Sequence, residues 1–465
     1  MINHEVINIV LTTINAKWIH PSLALRLLKA NLGDLEPNCK IIEFNLRQPL
    51  HEKSEPLLAA NPKILGISVS IWNHLATIEL LEYLKKEWDN SGGVKPVIVL
   101  GGPEVTHLPA DAEIFKYADH IIRGEGETAF RELCERLLEK EITQKHREHE
   151  EEEKNLKNAY HLYTDEDIAK KLIYAESSRG CPFKCDFCQS ALDEKIYEFP
   201  LEPFLNDMDT LIQRGVKTIK FLDRSFNTNI KRALKIINFF INKTEQSPAF
   251  TVHFEMVPSL FTDELIDALS RFPPGTLRLE IGIQTLDPEV CARINRSSNP
   301  EKELETLSLL IKKTNAIIHA DLIAGLPGET FESFGEGFDK LWLALSGAGI
   351  TRINGHLRAE IQLGMLKQLP GTPISRHNEA YGMRFCALPP YEIEENVQIN
   401  AVNMLRLKNF ARFWAQIVDH GLLNPPKKPV FHNFLTLSDE LYAHFGRNWG
   451  IDRGELLQKI ENAAL

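Results

Sequence analysis

The sequence predicts an α/β protein made of two successive β/α runs followed by a mostly helical end, and three observations carry that expectation. From the N-terminus to about residue 140, short apolar runs alternate with longer amphipathic stretches, the pattern of βαβ units in a parallel sheet. A highly charged stretch then interrupts the alternation, which resumes after Leu172. At 465 residues, 43% of them hydrophobic, the chain exceeds what one core serves efficiently, so two or three domains are expected.

In the first run, strands are expected at residues 6–11, 64–71 and 97–100, helices from about Ser22 and about Ala76, and a further strand just ahead of Arg123. The strand ends carry the distinctive residues: Ser68-Val69-Ser70, Gly101-Gly102-Pro103-Glu104, and Arg123 to Glu127. Ligands of open α/β sheets sit outside the carboxyl ends of the strands, where glycine lets backbone approach them closely. Tight strand-to-helix turns account for the same glycines equally well.

Residues 141–170, with the run His146 to Lys154, read as a charged linker or solvated helix. Strand-like runs then recur at residues 173–176, 218–222, 250–257, 277–283, 317–323 and 356–363, separated by helical stretches such as 230–241 and 301–313. Six β/α repeats cannot close an eight-stranded barrel. An open (β/α)6 arc of TIM type is expected over residues 171–375, with its chemistry at the carboxyl strand ends. Those ends are polar: a cysteine loop, Asp223-Arg224-Ser225, Glu255, Gln284, and Asp321 leading to Gly325-Leu326-Pro327-Gly328-Glu329-Thr330. Buried partners of Arg278 or another cation would explain Glu255 or Asp321 taken singly. Residues 376–465 form a further unit, with helical patterns at 392–410 and 455–464, and Tyr381, Tyr391, Trp414 and Phe431 as core aromatics.

The motif Cys181-Pro182-Phe183-Lys184-Cys185-Asp186-Phe187-Cys188 gathers three thiols and no fourth ligand. A cubane [4Fe–4S] cluster held by three cysteines keeps one iron open, whereas structural zinc closes its tetrahedron with four ligands. The other cysteines, Cys39, Cys134, Cys291 and Cys386, are scattered, and the total of seven is odd, which argues against a disulfide framework. A net charge of −11 disfavours nucleic acid as a partner. The N-terminus lacks the pattern of a secretory signal and no apolar run is long enough to span a bilayer. A cytoplasmic monomer is the expectation.

The cysteine spacing, with Phe187 before the last cysteine, resembles the cluster loop of the radical S-adenosylmethionine (radical SAM) superfamily, and residues 172 to 375 follow its order of stations. Leu277 to Thr285, Arg293 to Arg296 and Ala320 to Gly328 are similar to the oxygen-independent coproporphyrinogen oxidase branch. The resemblance implies that Cys181, Cys185 and Cys188 hold the cluster. It also implies that Glu255, Gln284, Arg296 and Asp321 bind S-adenosylmethionine, with Asp223 replacing the Gly-Gly-Glu element that usually holds the methionyl amine. Residues 1–140 resemble the Rossmann-like, doubly wound cobalamin-binding domain that precedes many radical SAM barrels, with Ser68, Ser70, Gly101 and Gly102 at the cofactor. Cobalt-ligating domains carry Asp-x-His-x-x-Gly in the first loop. Here Trp18-Ile19-His20-Pro21-Ser22-Leu23 stands instead, which implies cobalamin without a histidine ligand from this loop. The whole resembles a bacterial subfamily with an uncharacterised C-terminal domain. The implied activity is methylation of an unactivated carbon of a small molecule or peptide, with a reducing donor such as flavodoxin or ferredoxin. Rearrangement or cyclisation without methyl transfer, and a non-catalytic cobalamin-binding regulator, are the alternatives.

Overall fold

The computed structural model describes residues 7–92, 94–138, 156–193, 196–246, 250–349, 351–353, 356–424 and 426–460. The core of the charged stretch expected as linker or helix, residues 139–155, lies outside the described residues. The chain packs as two compact units, Met1–Ser177 with Glu198–Lys220, and Ser178–Tyr197 with Phe221–Leu465.

The first unit is built on β1 (Ile9–Asn15), β2 (Cys39–Asn45), β3 (Ile64–Ser68), β4 (Val97–Gly101) and β5 (His120–Ile121). All pair in parallel, in the order β2-β1-β3-β4-β5. The order reverses between β1 and β3, the place where doubly wound sheets open a crevice for ligands. β1 is buried throughout, as a central parallel strand covered on both faces must be. Val10, Ile14, Leu65 and Ile67 pack with Leu80, Leu84 and Trp88 of helix His74–Ser91. Ile9, Leu11 and Ile64 pack in a separate cluster with Leu25 of helix Leu23–Ala30 and with Phe130 and Leu133 of helix Glu127–Leu137.

In the first sheet, strand expectations differ from the structure in three places. The first strand is Ile9–Asn15 rather than residues 6–11. Strand β2 and helix Leu50–Ala60 were not anticipated, since Lys40 and Glu43 break the apolar signal of β2, an edge strand. Strand β3 stops at Ser68 instead of residue 71 because the Ser70 N–H turns to donate to Asn73 Oδ1 at 2.8 Å.

A buried ionic group also belongs to this unit. Arg26 on helix Leu23–Ala30 donates to Glu43 Oε2 at 2.9 Å and to Asp167 Oδ2 at 2.8 Å, while its guanidinium lies 4.5 Å from the Tyr163 ring centroid. Lys171 reaches the second Asp167 oxygen at 2.9 Å. Burial raises the Asp167 pKa, but Lys171 and Arg26 overcome it and hold the carboxyl below its usual range.

A second, six-stranded sheet contains β6 (Ile173–Ala175), β7 (Thr218–Phe221), β8 (Thr251–Met256), β9 (Leu277–Gln284), β10 (Ile317–Ala324) and β11 (Ala359–Met365). Its order is β11-β10-β9-β8-β7-β6, the expected open run of six. Strands β8 to β11 pair in parallel. Along β9, Leu277, Leu279, Ile281 and Ile283 are buried, whereas Arg278, Glu280, Gly282 and Gln284 alternate with them on the opposite face. The last strand begins at Ala359 rather than residue 356, because His356–Leu357 pairs in a separate hairpin.

Of the four aromatics expected in the C-terminal core, Trp414 and Phe431 are buried, whereas Tyr381 and Tyr391 are only half-buried, Tyr381 lying 5.2 Å under the Arg293 guanidinium instead. Trp414 and Phe431 join Phe338, Phe410 and Phe434, with Phe410 stacked 5.7 Å from Trp414 and Phe338 edge-on to it at 4.8 Å. Such pairs add to their area burial. The helix expected from residue 392 begins only at Ala401, where the Asn400 side chain accepts from the Asn403 N–H; Ile393–Glu395 is instead a short strand.

Candidate functional site

The cysteine loop is fastened by polar groups far away in sequence. Asp186, between the second and third cysteines, is 1% exposed, and its carboxylate takes His377 Nε2 at 2.8 Å and Arg376 at 2.7 Å. Its N–H donates to Ile294 O at 3.0 Å, and its carbonyl accepts from the Ile374 N–H at 2.9 Å. Lys184 Nζ closes the loop on itself by donating to the carbonyls of Ala191 and Asp193. Asn295 donates to the Lys184 carbonyl. None of these partners was anticipated, because only the fold brings residues 370–377 back to residue 186.

All seven cysteines are free thiols. Burial pushes the Cys181 and Cys185 thiols up; the Phe183 N–H and Ser225 oppose it at Cys181, and Arg296 opposes it at Cys185. Each of the three loop cysteines lies within the electrostatic influence of the other two. Among the described residues no group of three or more His, Cys, Asp or Glu converges on one metal ion. A cubane does not require that, since each thiolate meets a different iron. Three free thiols on one fastened loop, beside the cation Arg296, fit an anionic cluster, whose binding would release the thiol protons.

Of the expected S-adenosylmethionine residues, Glu255 acts on Cys181 and Arg296 on Cys185, while Gln284 and Asp321 lie along β9 and β10. Glu255 on β8 lies 3.6 Å from Arg224, and Arg224 in turn feels Glu255, Cys188 and Glu280. Glu255 and Glu280 are direct cross-strand neighbours. Two like charges so placed repel, and Arg224 offsets that repulsion. Arg296 donates to Gly282 O at 2.5 Å and also bonds Cys185. Asp321 lies opposite Gly282 across β9 and β10, and Gln284 ends β9 with a backbone φ of 70°. Asp223 is placed differently: it is 1% exposed and accepts from Ser178 Oγ at 2.7 Å.

Sequence reading passed over a row beneath these groups. His253, Glu280, His319 and Glu360 occupy neighbouring strands. His253 is 3.3 Å from Glu280, His319 is 3.0 Å from Glu360, and the two imidazoles stack at 5.6 Å. The alternation of β9 and its neighbours was the signal that could have found them, because His253 and Glu255, Arg278 and Glu280, and His319 and Asp321 each stand two apart between apolar residues.

In the first unit, Ser68, Ser70, Gly101 and Gly102 meet at the carboxyl ends of β3 and β4. A Cβ on Gly102, whose φ is +103°, would lie 2.6 Å from Val69 O and 3.0 Å from Ser68 Oγ. The fold itself therefore demands glycine there. A Cβ on Gly101 would meet nothing closer than Ile122 O at 3.5 Å, so protein packing does not. Asn73 knits the edge, donating to Thr13 Oγ1, Ile14 O and Ser68 O. Just past β1, β2 and β3 stand Trp18, Ile19, Leu46, Trp72 and Leu75, large apolar side chains each 39–50% exposed. His20 in the first loop bonds the Tyr174 hydroxyl at 2.9 Å; burial, then Lys17, lowers its pKa.

Comparison with known proteins assigns a family model to the region of each edge. The family model described as Radical SAM superfamily matches residues 175–341, and that described as B12 binding domain matches residues 9–134. The chain is a radical SAM protein with a cobalamin-binding domain. It is similar to the cobalamin-dependent radical SAM methyltransferase TokK of Streptomyces tokunonensis, 22% identical over 379 residues, covering 72% of this chain and 51% of TokK. The cobalamin-dependent S-adenosylmethionine radical enzyme OxsB, solved with aqua-cobalamin and S-adenosylmethionine bound, aligns over 98% of this radical SAM protein and 79% of its own chain. Its TM-score is 0.63 at 15% identity. The radical S-adenosylmethionine methyltransferase TsrM of Kitasatospora setae aligns over 98% of this chain and 100% of its own, with TM-score 0.62 at 15% identity. The chain spans about half the length of the curated relatives it matches.

The two domains imply a [4Fe–4S] cluster with S-adenosylmethionine, and cobalamin. The half-exposed indoles of Trp18 and Trp72, just past β1 and β3, offer apolar area to a large flat amphiphile such as a corrin. No described helix is long and apolar enough to cross a membrane.

Proposed function

We propose that this radical SAM protein is a cobalamin-dependent methyltransferase acting on an unactivated carbon of a small molecule or peptide. The observation that carries the reading is the cysteine loop, anchored through Asp186 and with Glu255 and Arg296 acting on its free thiols, in a chain whose residues 9–134 match the B12 binding domain. When bound, the cluster and S-adenosylmethionine supply one-electron cleavage of a sulfonium, and cobalamin supplies a methyl group.

The chain's own residues bind, orient and shield. Cys181, Cys185 and Cys188 hold the cluster; Arg296, beside Cys185, faces the carboxylate of S-adenosylmethionine; Glu255, Gln284 and Asp321 take its ribose and amine, with Asp223 steadying the turn through Ser178. The polar row on β8 to β11 offers hydrogen bonds to the substrate, and the buried aromatic core of residues 376–465 backs the barrel-type sheet. Ser68, Ser70, Gly101 and Gly102 lie against cobalamin, with residues 1–140 as its domain and residues 171–375 as the radical domain. Free thiols throughout agree with a reducing, cytoplasmic setting and a reductant of flavodoxin or ferredoxin type.

The test is anaerobic reconstitution with iron, sulfide and cobalamin, followed by incubation of cell extract with S-adenosylmethionine carrying a labelled methyl group. Label in a new product together with S-adenosylhomocysteine and 5′-deoxyadenosine supports methylation. A product formed with 5′-deoxyadenosine but without label overturns it in favour of rearrangement or cyclisation. Cofactor binding without any cleavage overturns it in favour of a regulator.

A further inference from the structure

The last residues of β9 depart from regular strand geometry in three ways. Pairing with β10 shifts register between Gly282 and Gln284, a bulge of the kind that re-aims a side chain beside an active site. Gln284 has φ 70°, and the Thr285 N–H donates back to Ile283 O at 2.9 Å. That is the rare γ-turn with positive central φ, a strained conformation for any residue with a Cβ. The Gln284 carboxamide also folds over Gly282, where a Cβ would lie 2.3 Å from Nε2.

Strain of this kind persists only where the surroundings over-determine it, and the surroundings here are specific. Thr285 Oγ1 donates to Glu329 Oε1 at 2.5 Å and accepts from the Asp287 N–H at 3.1 Å. Glu329 comes from the loop after β10, is 2% exposed, and its Oε2 has no hydrogen-bond partner among the described residues. Asp287 is fixed in turn by capping helix Pro288–Arg293 and by Ser333. Arg293 holds the Glu329 loop by donating to Pro327 O at 2.8 Å.

We infer that Thr285 and Glu329 are positioning residues that lock the Gln284 γ-turn, presenting its carboxamide to S-adenosylmethionine before that molecule binds. This rests on the proposed role of Gln284 in the same site. Burial pushes the Glu329 carboxyl up to about 8, against the Thr285 bond, and Asp287 pushes in the same direction. The side chain is therefore a neutral acid at neutral pH, and glutamine is its close mimic.

The test measures S-adenosylmethionine affinity by calorimetric titration of the anaerobically reconstituted holoenzyme, and amide hydrogen exchange of peptides spanning Gln284 and Thr285 before S-adenosylmethionine is added. Releasing the turn makes binding restore it, so T285V and E329L should each weaken affinity about tenfold and speed exchange. T285S and E329Q should restore both toward wild type, a rescue that a merely space-filling role would not produce for E329Q over E329L. If Q284A weakens binding while T285V and E329L leave affinity and exchange unchanged, the positioning role is overturned and the role of Gln284 stands. If Q284A itself binds as wild type, the reading of Gln284 is overturned and the positioning role with it. Should E329L fail to fold, the T285V and T285S pair decides.

Discussion

The cysteine loop is tied to distant chain through a buried carboxylate, whereas the ends of β1 and β3 are tied to each other by an amide and hydroxyls. Asp186 with His377 and Arg376 binds the first; Asn73, Thr13 and Ser68 bind the second. The surroundings differ in the same sense. Glu255, Arg224 and Arg296 act electrostatically on the thiols, while Trp18, Trp72 and Leu75, just past β1 and β3, are each about half exposed. A charged cluster and a sulfonium need fixed charges in a shielded site. A large flat cofactor needs apolar area and backbone it can approach, so its edge can be stiffened cheaply with amides and hydroxyls.

The contrast breaks most visibly at the thiols. C185A should abolish iron and sulfide incorporation, measured by metal analysis of reconstituted protein, while cobalamin retention stays at the wild-type level. Loss of both cofactors together would refute the separation of roles.

The next effect is in pH dependence. Folded Glu329 keeps its proton up to about 8, whereas an unfolded glutamate loses it near 4.5. Between those values the folded state binds more protons than the unfolded state, so stability falls as pH rises through that window and levels off above it. Denaturant midpoints across the window should show this slope in the wild type and lose it in E329Q. No slope arises from Asn73, Thr13 and Ser68, which do not titrate.

Smaller again is the loop anchor. D186A strips His377 and Arg376 of their partner and should cost about 2 kcal/mol, with faster loss of iron to a chelator. At the other edge, G102A should cost a similar amount, about 2 kcal/mol, from its positive φ and the contact with Val69. G101A should leave thermal stability within about 0.5 kcal/mol and weaken cobalamin binding in equilibrium titration. Equal stability loss in G101A and G102A would show that both glycines serve packing alone.

Much of this was legible in the residues. The cysteine loop, the two parallel sheets and the polar strand ends follow from local spacing and alternation, which report short-range geometry. The anchors were not legible, because Asp186 meets His377 across 191 positions and nothing near either residue marks the pair. Strand β2 was missed since Lys40 and Glu43 interrupt its apolar run, and Glu43 is charged because Arg26 needs it. Gly101 and Gly102 read identically in sequence; only the nearness of Val69 separates them.

Arg26 gives the first unit one more property. Its bond to Asp167, together with Lys171 on the same carboxylate and Asn31 exchanging hydrogen bonds with the Lys157 backbone, joins chain from before residue 139 to chain from after residue 155. That ionic group should therefore hold the two flanks together, so that R26A speeds amide exchange in residues 156–171.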